Sequence, residues 1–534
     1  MPRKSLRPSR HYNSGNAPAC EESDTGTRIV ELRPMIANTL KRTLTALLLA
    51  SLVFVSSAGA DDIKLPDMGS PADAVLSSND ESQLGRMIMR DIRRSGQVVE
   101  DPLVTEYINE IGSRIVAQTN DGDYKFTFFV VDDPRINAFA LPGGYIGVHT
   151  GLIEATRSED ELAGVIAHEV AHVTQRHIAR AIHANSRQSI VSTAMMLGAI
   201  IVAAAGGSSD AVQGAIAVAQ GTAVQQQINF TRTNEYEADR IGIAALADAG
   251  FDPYGMASFF EVMSRQTTTS PEMRAPEFLR THPVTTARIA ESRNRARDYP
   301  AVRSQDSTSY GIARARMIVA RFDTPKEAVA YYESRPYDNQ TNVERYGRAV
   351  AYQRAGQYWE ALDIFRELLK NDKSVIAYHI GLGQTLVSLD QPREALETYE
   401  RALGLFPRNV PLVLDYGERL LQLGQAAKAH TMLLDLMNNV PPTPEQVRLI
   451  ARAANEAGEN AEAYYYLSEY RLMIGDLSGG IGYLQQALRL PELQEIQRIR
   501  FEARIDFIRE FMTEEQLKMM QRDRPVGISV RNGN

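Results

Sequence analysis

Two histidines stand one helical turn apart in His168-Glu169-Val170-Ala171-His172. Positions i and i+4 of a helix share a face, so both imidazoles can reach one metal ion. Glu169 is then close enough to take a proton from a water held beside that ion. A catalytic zinc takes three protein ligands and keeps one position open, so the pattern calls for a third ligand downstream. Glu235 supplies it from Asn234-Glu235-Tyr236-Glu237-Ala238-Asp239-Arg240. That segment is expected to be helical as far as Ala249, with Gly250 as its stop. Asp239 lies four residues after Glu235 and shares its face, whereas Glu237 reads as part of a solvated acidic surface. His149 reads as a structural strand residue. His177 is out of register with the pair and reads as a supporting or surface residue.

Elements must hold these groups in place. Acidic residues lead into an apolar stripe over Asp160-Glu161-Leu162-Ala163-Gly164-Val165-Ile166-Ala167, which suits the start of the metal-bearing helix. A helix is expected over Asp80 to Arg94, and another opens at Asp101-Pro102, an N-cap with proline in the first helical position. Lys125 to Val131 reads as a strand, and Asn137 to His149 as a strand or hairpin around Pro142-Gly143-Gly144. A small sheet beside such helices can accept an extended substrate as an added strand, which makes Asn137, Ala138 and Phe139 the candidate substrate-strand segment. Ser189 to Ala205 is apolar, and a second helix follows over Asp210 to Gln227. The apolar run is short for a span and reads as a buried helical hairpin, with peripheral membrane contact as the alternative. Gln266 to Pro271 is polar and reads as a loop able to move.

The C-terminal third is periodic. Gly356, Asp390, Gly424 and Gly458 recur at steps of 34 residues, as do Ala361, Ala395, Ala429 and Ala463. Thirty-four is the tetratricopeptide period, with a turn residue between two helices and a small residue where they pack. Phe365 and Tyr399 recur as core wedges, a partial copy sits around Ala328, and a last helix pair covers Gly475 to Leu490. Such arrays stack into solenoids that bind other proteins.

Met35 to Arg42 is a short basic stretch, followed by an apolar run from Leu44 to Val55 and small residues to Ala60. That is the layout of a cleaved secretory signal, with residues 1–34 an over-extended N-terminus. The single cysteine, Cys20, precedes it, so the exported chain has no thiol chemistry or disulfides. Residues 1–60 carry 8 Lys/Arg against 4 Asp/Glu, so the rest of the chain carries −12 where the whole carries −8. That acidity argues against nucleic acid as a partner.

These motifs resemble the gluzincin endopeptidases, the family of the CAAX-prenyl proteases, through HExxH followed by ExxxD at Glu235 to Asp239. Asn137 to Ile146 and Thr281-His282-Pro283 are similar to stretches of the same relatives. Over about residues 75 to 515, the chain resembles the periplasmic members that join this peptidase to tetratricopeptide repeats. The resemblance implies a mainly α chain: an α+β zincin-type peptidase domain with a small β-sheet over 75–300, an α-solenoid over 307–515 and a tail at 516–534, after the signal at 35–60. It implies one zinc per subunit on His168, His172 and Glu235, Glu169 as general base, and Asp239 as an acid in the catalytic set. His282 would be a fourth, autoinhibitory ligand. The implied function is a periplasmic zinc endopeptidase and chaperone in outer-membrane protein assembly and quality control. Its partners would be envelope protein substrates and, through the repeats, the β-barrel assembly machinery. The alternative is a repeat scaffold of that machinery with secondary or latent protease activity.

Overall fold

The computed structural model describes residues 76–119, 125–185, 232–269, 276–300, 302 and 305–512. The signal and the extension before it, the insertion at 189–205 with its second helix, and the tail at 516–534 lie outside the described residues.

The peptidase half opens with α1 (Ser78–Arg94), capped by a reciprocal Ser77–Asp80 box. It continues with α2 (Pro102–Val116), where the Asp101 side chain accepts from the backbone N–H groups of Leu103 and Val104. Strands β1 (Thr127–Val131), β2 (Ala138–Leu141) and β3 (Tyr145–His149) form one sheet in the order β1-β3-β2. β1 runs parallel to β3 and β2 antiparallel to it, with Phe139 opposite Gly147. The hairpin expected over Asn137 to His149 is therefore present, and its turn places Gly143 and Gly144 at φ 77° and 82°, a conformation open to glycine at no steric cost. The alternation of β2 and β3 divides the core. Ala138, Ala140, Ile146 and Val148 face the main peptidase cluster, while Phe139 and Leu141 pack with Ile88, Met89 and Ile92 of α1. β2 is an edge strand among the described residues.

After α3 (Thr150–Ala155) comes α4 (Glu159–Thr174), the helix that carries the histidine pair. Ser158 caps it by accepting from the Glu161 N–H, three acids occupy its first turn, and all 16 of its residues are buried. Helices α5 (His177–Asn185), α6 (Arg232–Asp248), α7 (Tyr254–Thr269), α8 (Glu277–Thr281) and α9 (Thr286–Ala296) complete this half. Close approach explains two glycines: a Cβ on Gly164 would lie 2.7 Å from the Met256 backbone nitrogen, and one on Gly242 would lie 3.0 Å from the Ala167 carbonyl oxygen. The stretch expected as a loop over Gln266 to Pro271 is helical through Thr269. Threonine is a poor helix former, but the preceding turns of α7 bury Phe259, Phe260 and Met263, and propagating an anchored helix costs little.

Twelve described helices follow: α10 (Thr308–Ala320), α11 (Pro325–Glu333), α12 (Asn342–Arg354), α13 (Tyr358–Asn371), α14 (Ile376–Ser388), α15 (Pro392–Leu405), α16 (Val410–Gln422), α17 (Ala426–Asn439), α18 (Pro444–Glu456), α19 (Asn460–Met473), α20 (Leu477–Ala487) and α21 (Glu495–Glu510). The predicted turn residues Gly356, Asp390, Gly424 and Gly458 all take positive φ, at 74°, 58°, 70° and 85°. Asp390 can substitute for glycine there because aspartate tolerates the left-handed region better than most residues. The four periodic alanines are buried, and so is Ala328 in the helix pair that precedes them. Phe365 and Tyr399 wedge against α14 from either side in sequence: a Cβ on Gly381 would lie 2.3 Å from the Phe365 ring, and one on Gly383 would lie 2.4 Å from the Tyr399 ring. α10 belongs to both cores, giving Tyr310, Ala313 and Met317 to the peptidase and Ile312, Ala315 and Ile318 to the first repeats.

Phe365 is fully buried, so Phe365→Ala is expected to destabilise the array by about 3–5 kcal/mol. The single tryptophan, Trp359, lies on the same helix, and its fluorescence through a urea titration reads the loss as a lowered midpoint.

Candidate metal centre

α4 and α6 cross in the core and bring the predicted ligands together. His168 Nε2 lies 3.0 Å from His172 Nε2 and 3.6 Å from Glu235 Oε2, while His172 Nε2 lies 3.6 Å from Glu235 Oε1. A fourth donor joins them from the end of α8: His282 Nδ1 lies 3.3 Å from His168 Nε2 and 3.2 Å from Glu235 Oε1. All four residues are buried, and their ligand atoms fall within 4.8 Å of one another. Bonds of about 2.0–2.2 Å to zinc would place tetrahedral corners roughly 3.3–3.6 Å apart. The spacing therefore fits such an ion. The donor set, three imidazoles and one carboxylate, is also one that zinc accepts.

Burial would push His168 down, but its contacts with Asp239 and Glu235 outweigh that and lift it to about 9. Burial drives His172 well below its ordinary value, and the neighbouring His168 charge adds to the effect. Burial raises Glu235, yet His282 and His168 more than offset this and hold it well below the usual carboxylate range. A cluster that gathers positive charge around an ionised carboxylate also suits a dication, whose binding displaces the proton.

Glu169 is fully buried. His282 Nε2 stands 3.4 Å from Oε1, and the Ala140 backbone N–H faces the carboxylate without completing a hydrogen bond of good geometry. Burial raises its pKa, which makes it a stronger base. Asp239 meets His168 on the ring nitrogen that faces away from the cluster. Its Oδ1 is 3.0 Å from His168 Nδ1, and Arg288 donates to both of its oxygens at 2.7 and 2.8 Å. Arg288 also reaches Glu235 Oε2 at 2.8 Å and lies over the Phe260 ring.

Asn137, Ala138 and Phe139 are buried at the start of β2. Both amide atoms of Asn137 have no hydrogen-bond partner. The backbone N–H of Phe278 donates to the Ile136 carbonyl, so α8 sits at the head of this edge strand. His149 is buried among neighbours such as Phe139, in keeping with a structural role. His177 is buried too and supports the site: its Nδ1 lies 2.9 Å from His172 Nδ1 and its Nε2 lies 3.2 Å from Glu237 Oε2. Glu237 is therefore a partner of His177 and Arg180, not part of a solvated acidic face. Sequence reasoning did not single out Arg288. Two buried acids on one helix face call for a cation, but Arg288, Arg293, Arg295 and Arg297 offered equivalent choices.

The model of peptidase family M48 matches residues 102–296, and a tetratricopeptide repeat model matches 386–453. The beta-barrel assembly-enhancing protease of Escherichia coli is 33% identical over 486 residues, spanning 88% of this chain and 97% of its own. The protease of the same name from Yersinia pestis is 33% identical over 487 residues, with 87% and 98% covered. The mitochondrial metalloendopeptidase OMA1 of Schizosaccharomyces pombe is 32% identical over 186 residues, 35% of this chain and 51% of its own. That last similarity spans about half of the relative.

Arg288 is the buried counter-charge of two buried carboxylates. Arg288→Met is expected to cost about 3–5 kcal/mol, seen as a lower melting temperature of the metal-free protein. Adding Asp239→Asn should recover part of the loss.

Proposed function

The chain belongs to the family of the beta-barrel assembly-enhancing proteases, M48 metallopeptidases fused to tetratricopeptide repeats, and from that membership we propose that it is a zinc endopeptidase of the periplasm that acts in outer-membrane protein assembly and quality control. The observation that carries this reading is the convergence of His168, His172, Glu235 and His282 beside the buried Glu169. His168, His172 and Glu235 are the resident ligands of one zinc per subunit. Bound there, zinc supplies Lewis acidity toward a water and the scissile carbonyl oxygen.

The side chains do the rest. Glu169 takes the proton of the attacking water and returns it to the leaving amine, a role helped by the burial that raises its pKa. Asp239 positions His168 through Nδ1, and Arg288 holds Asp239 and Glu235 in place. Substrate lies as an extended strand along Asn137, Ala138 and Phe139, in the antiparallel manner open to an edge strand. His282 is the resting fourth ligand: it occupies the position that water needs and comes within reach of Glu169. Substrate or a partner must shift α8 before cleavage. The repeats dock envelope proteins, among them the β-barrel assembly machinery. The apolar insertion at 189–205 contributes at most peripheral membrane contact. A cleaved signal at 35–60 directs export, and the domains follow the boundaries 75–300 and 307–515.

Glu169→Gln is expected to keep its zinc and lose proteolysis by about 10²–10⁴-fold, checked by metal analysis beside cleavage of an unfolded protein substrate. Cleavage at the wild-type rate would overturn the assignment of the base. His282→Ala is expected to raise proteolysis in the same assay, and no gain would remove the latch.

A further inference from the structure

The geometry points to a second ligand-orienting relay: we propose that His177 and Glu237 fix the tautomer and ring angle of His172, as Asp239 does directly for His168. The inference rests on the proposed metal site. An imidazole that ligates through Nε2 carries its proton on Nδ1. His172 Nε2 faces the cluster, so its Nδ1–H points at His177 Nδ1, 2.9 Å away. That nitrogen must accept, because two N–H groups cannot meet at such a distance. The proton of His177 is thereby placed on Nε2, which lies 3.2 Å from Glu237 Oε2, a carboxylate oxygen that accepts it. Arg180 donates to the same oxygen at 2.9 Å and pins the carboxylate.

Every other neutral arrangement sets two protons or two lone pairs against each other somewhere along the chain. The rings of His172 and His177 stand at 76°, with centroids 4.8 Å apart, and both side chains are buried. The relay thus runs from Glu237 through one intervening imidazole to the ligand. Helix α6 supplies the ligand Glu235 and the terminal carboxylate of both relays within five residues. Glu235 and Asp239 lie on its inner face, and Glu237, about 200° round the helix from Glu235, reaches α5. Groups that orient a ligating histidine typically account for a 10- to 100-fold difference in metal affinity. His177 and Glu237 are positioning residues in this account, not catalytic ones.

The test measures zinc affinity of the purified exported chain by competition with a chromophoric chelator. His177→Ala is expected to bind zinc about 10- to 100-fold more weakly. His177→Asn places an acceptor oxygen where Nδ1 was and is expected to recover most of the loss, which a purely structural role would not predict. Equal zinc affinity in His177→Ala and wild type overturns the relay, as does an asparagine variant no better than alanine. Should His177→Ala fail to fold, Glu237→Leu, at a side chain 25% exposed, carries the test: weaker zinc binding supports the relay and unchanged affinity overturns it. His172→Ala separates the two failures. If it holds zinc as well as wild type, the metal site itself is misassigned. If it loses zinc while His177→Ala keeps it, only the relay falls.

Discussion

Two carboxylates buried one helical turn apart, Glu235 at 2% exposure and Asp239 at 1%, dictate the layout of the peptidase half. Removing an ionised carboxylate from water costs several kcal/mol unless it is paired and hydrogen-bonded. Three elements around α6 answer to that cost. α9 returns to place Arg288 against both acids, α4 presents His168 between them, and α8 ends with His282 beside Glu235. The charges left over converge on one point, where a dication completes the balance. The same burial raises Glu169 and makes its carboxylate more basic.

The repeat array is joined to this centre by polar contacts at helix starts. Glu159, the first residue of α4, accepts from the backbone N–H of Ser307 at 2.8 Å and from its hydroxyl at 2.7 Å. The Asp306 carboxylate accepts from the Glu159 N–H in turn. Arg316 of α10 donates to Asp101, the cap of α2, and to the Tyr346 hydroxyl of α12. The segment that begins the array is thus also part of the N-terminal caps of α4 and α2. The repeat array and the histidine-bearing helix are therefore in direct hydrogen-bonded contact.

Much of this was legible in the sequence because local rules reach that far. The i,i+4 spacing of His168 and His172, the Glu235–Asp239 pair and the 34-residue step of Gly356, Asp390, Gly424 and Gly458 each follow from helical or repeat periodicity alone. The cap at Asp101 was legible as well, from an Asp-Pro pair at a helix start. The resemblance added His282, which no spacing rule supplies. What stayed hidden depends on which helices meet. His177 is out of register with the ligand pair, and only the turn between α4 and α5 swings it under His172. Glu237 looked solvated because its partner lies 60 residues upstream. Gln266 to Thr269 reads as loop by composition and is helix because the turns before it are anchored.

In the proposed resting state, three imidazoles and one carboxylate close around a single zinc. Anomalous scattering at the zinc edge from crystals of the resting, zinc-loaded chain tests it directly. The account predicts one peak per chain at about 2.0–2.2 Å from His168 Nε2, His172 Nε2, His282 Nδ1 and a Glu235 oxygen. A peak elsewhere, or one on His168, His172 and Glu235 with water in place of His282, would contradict it.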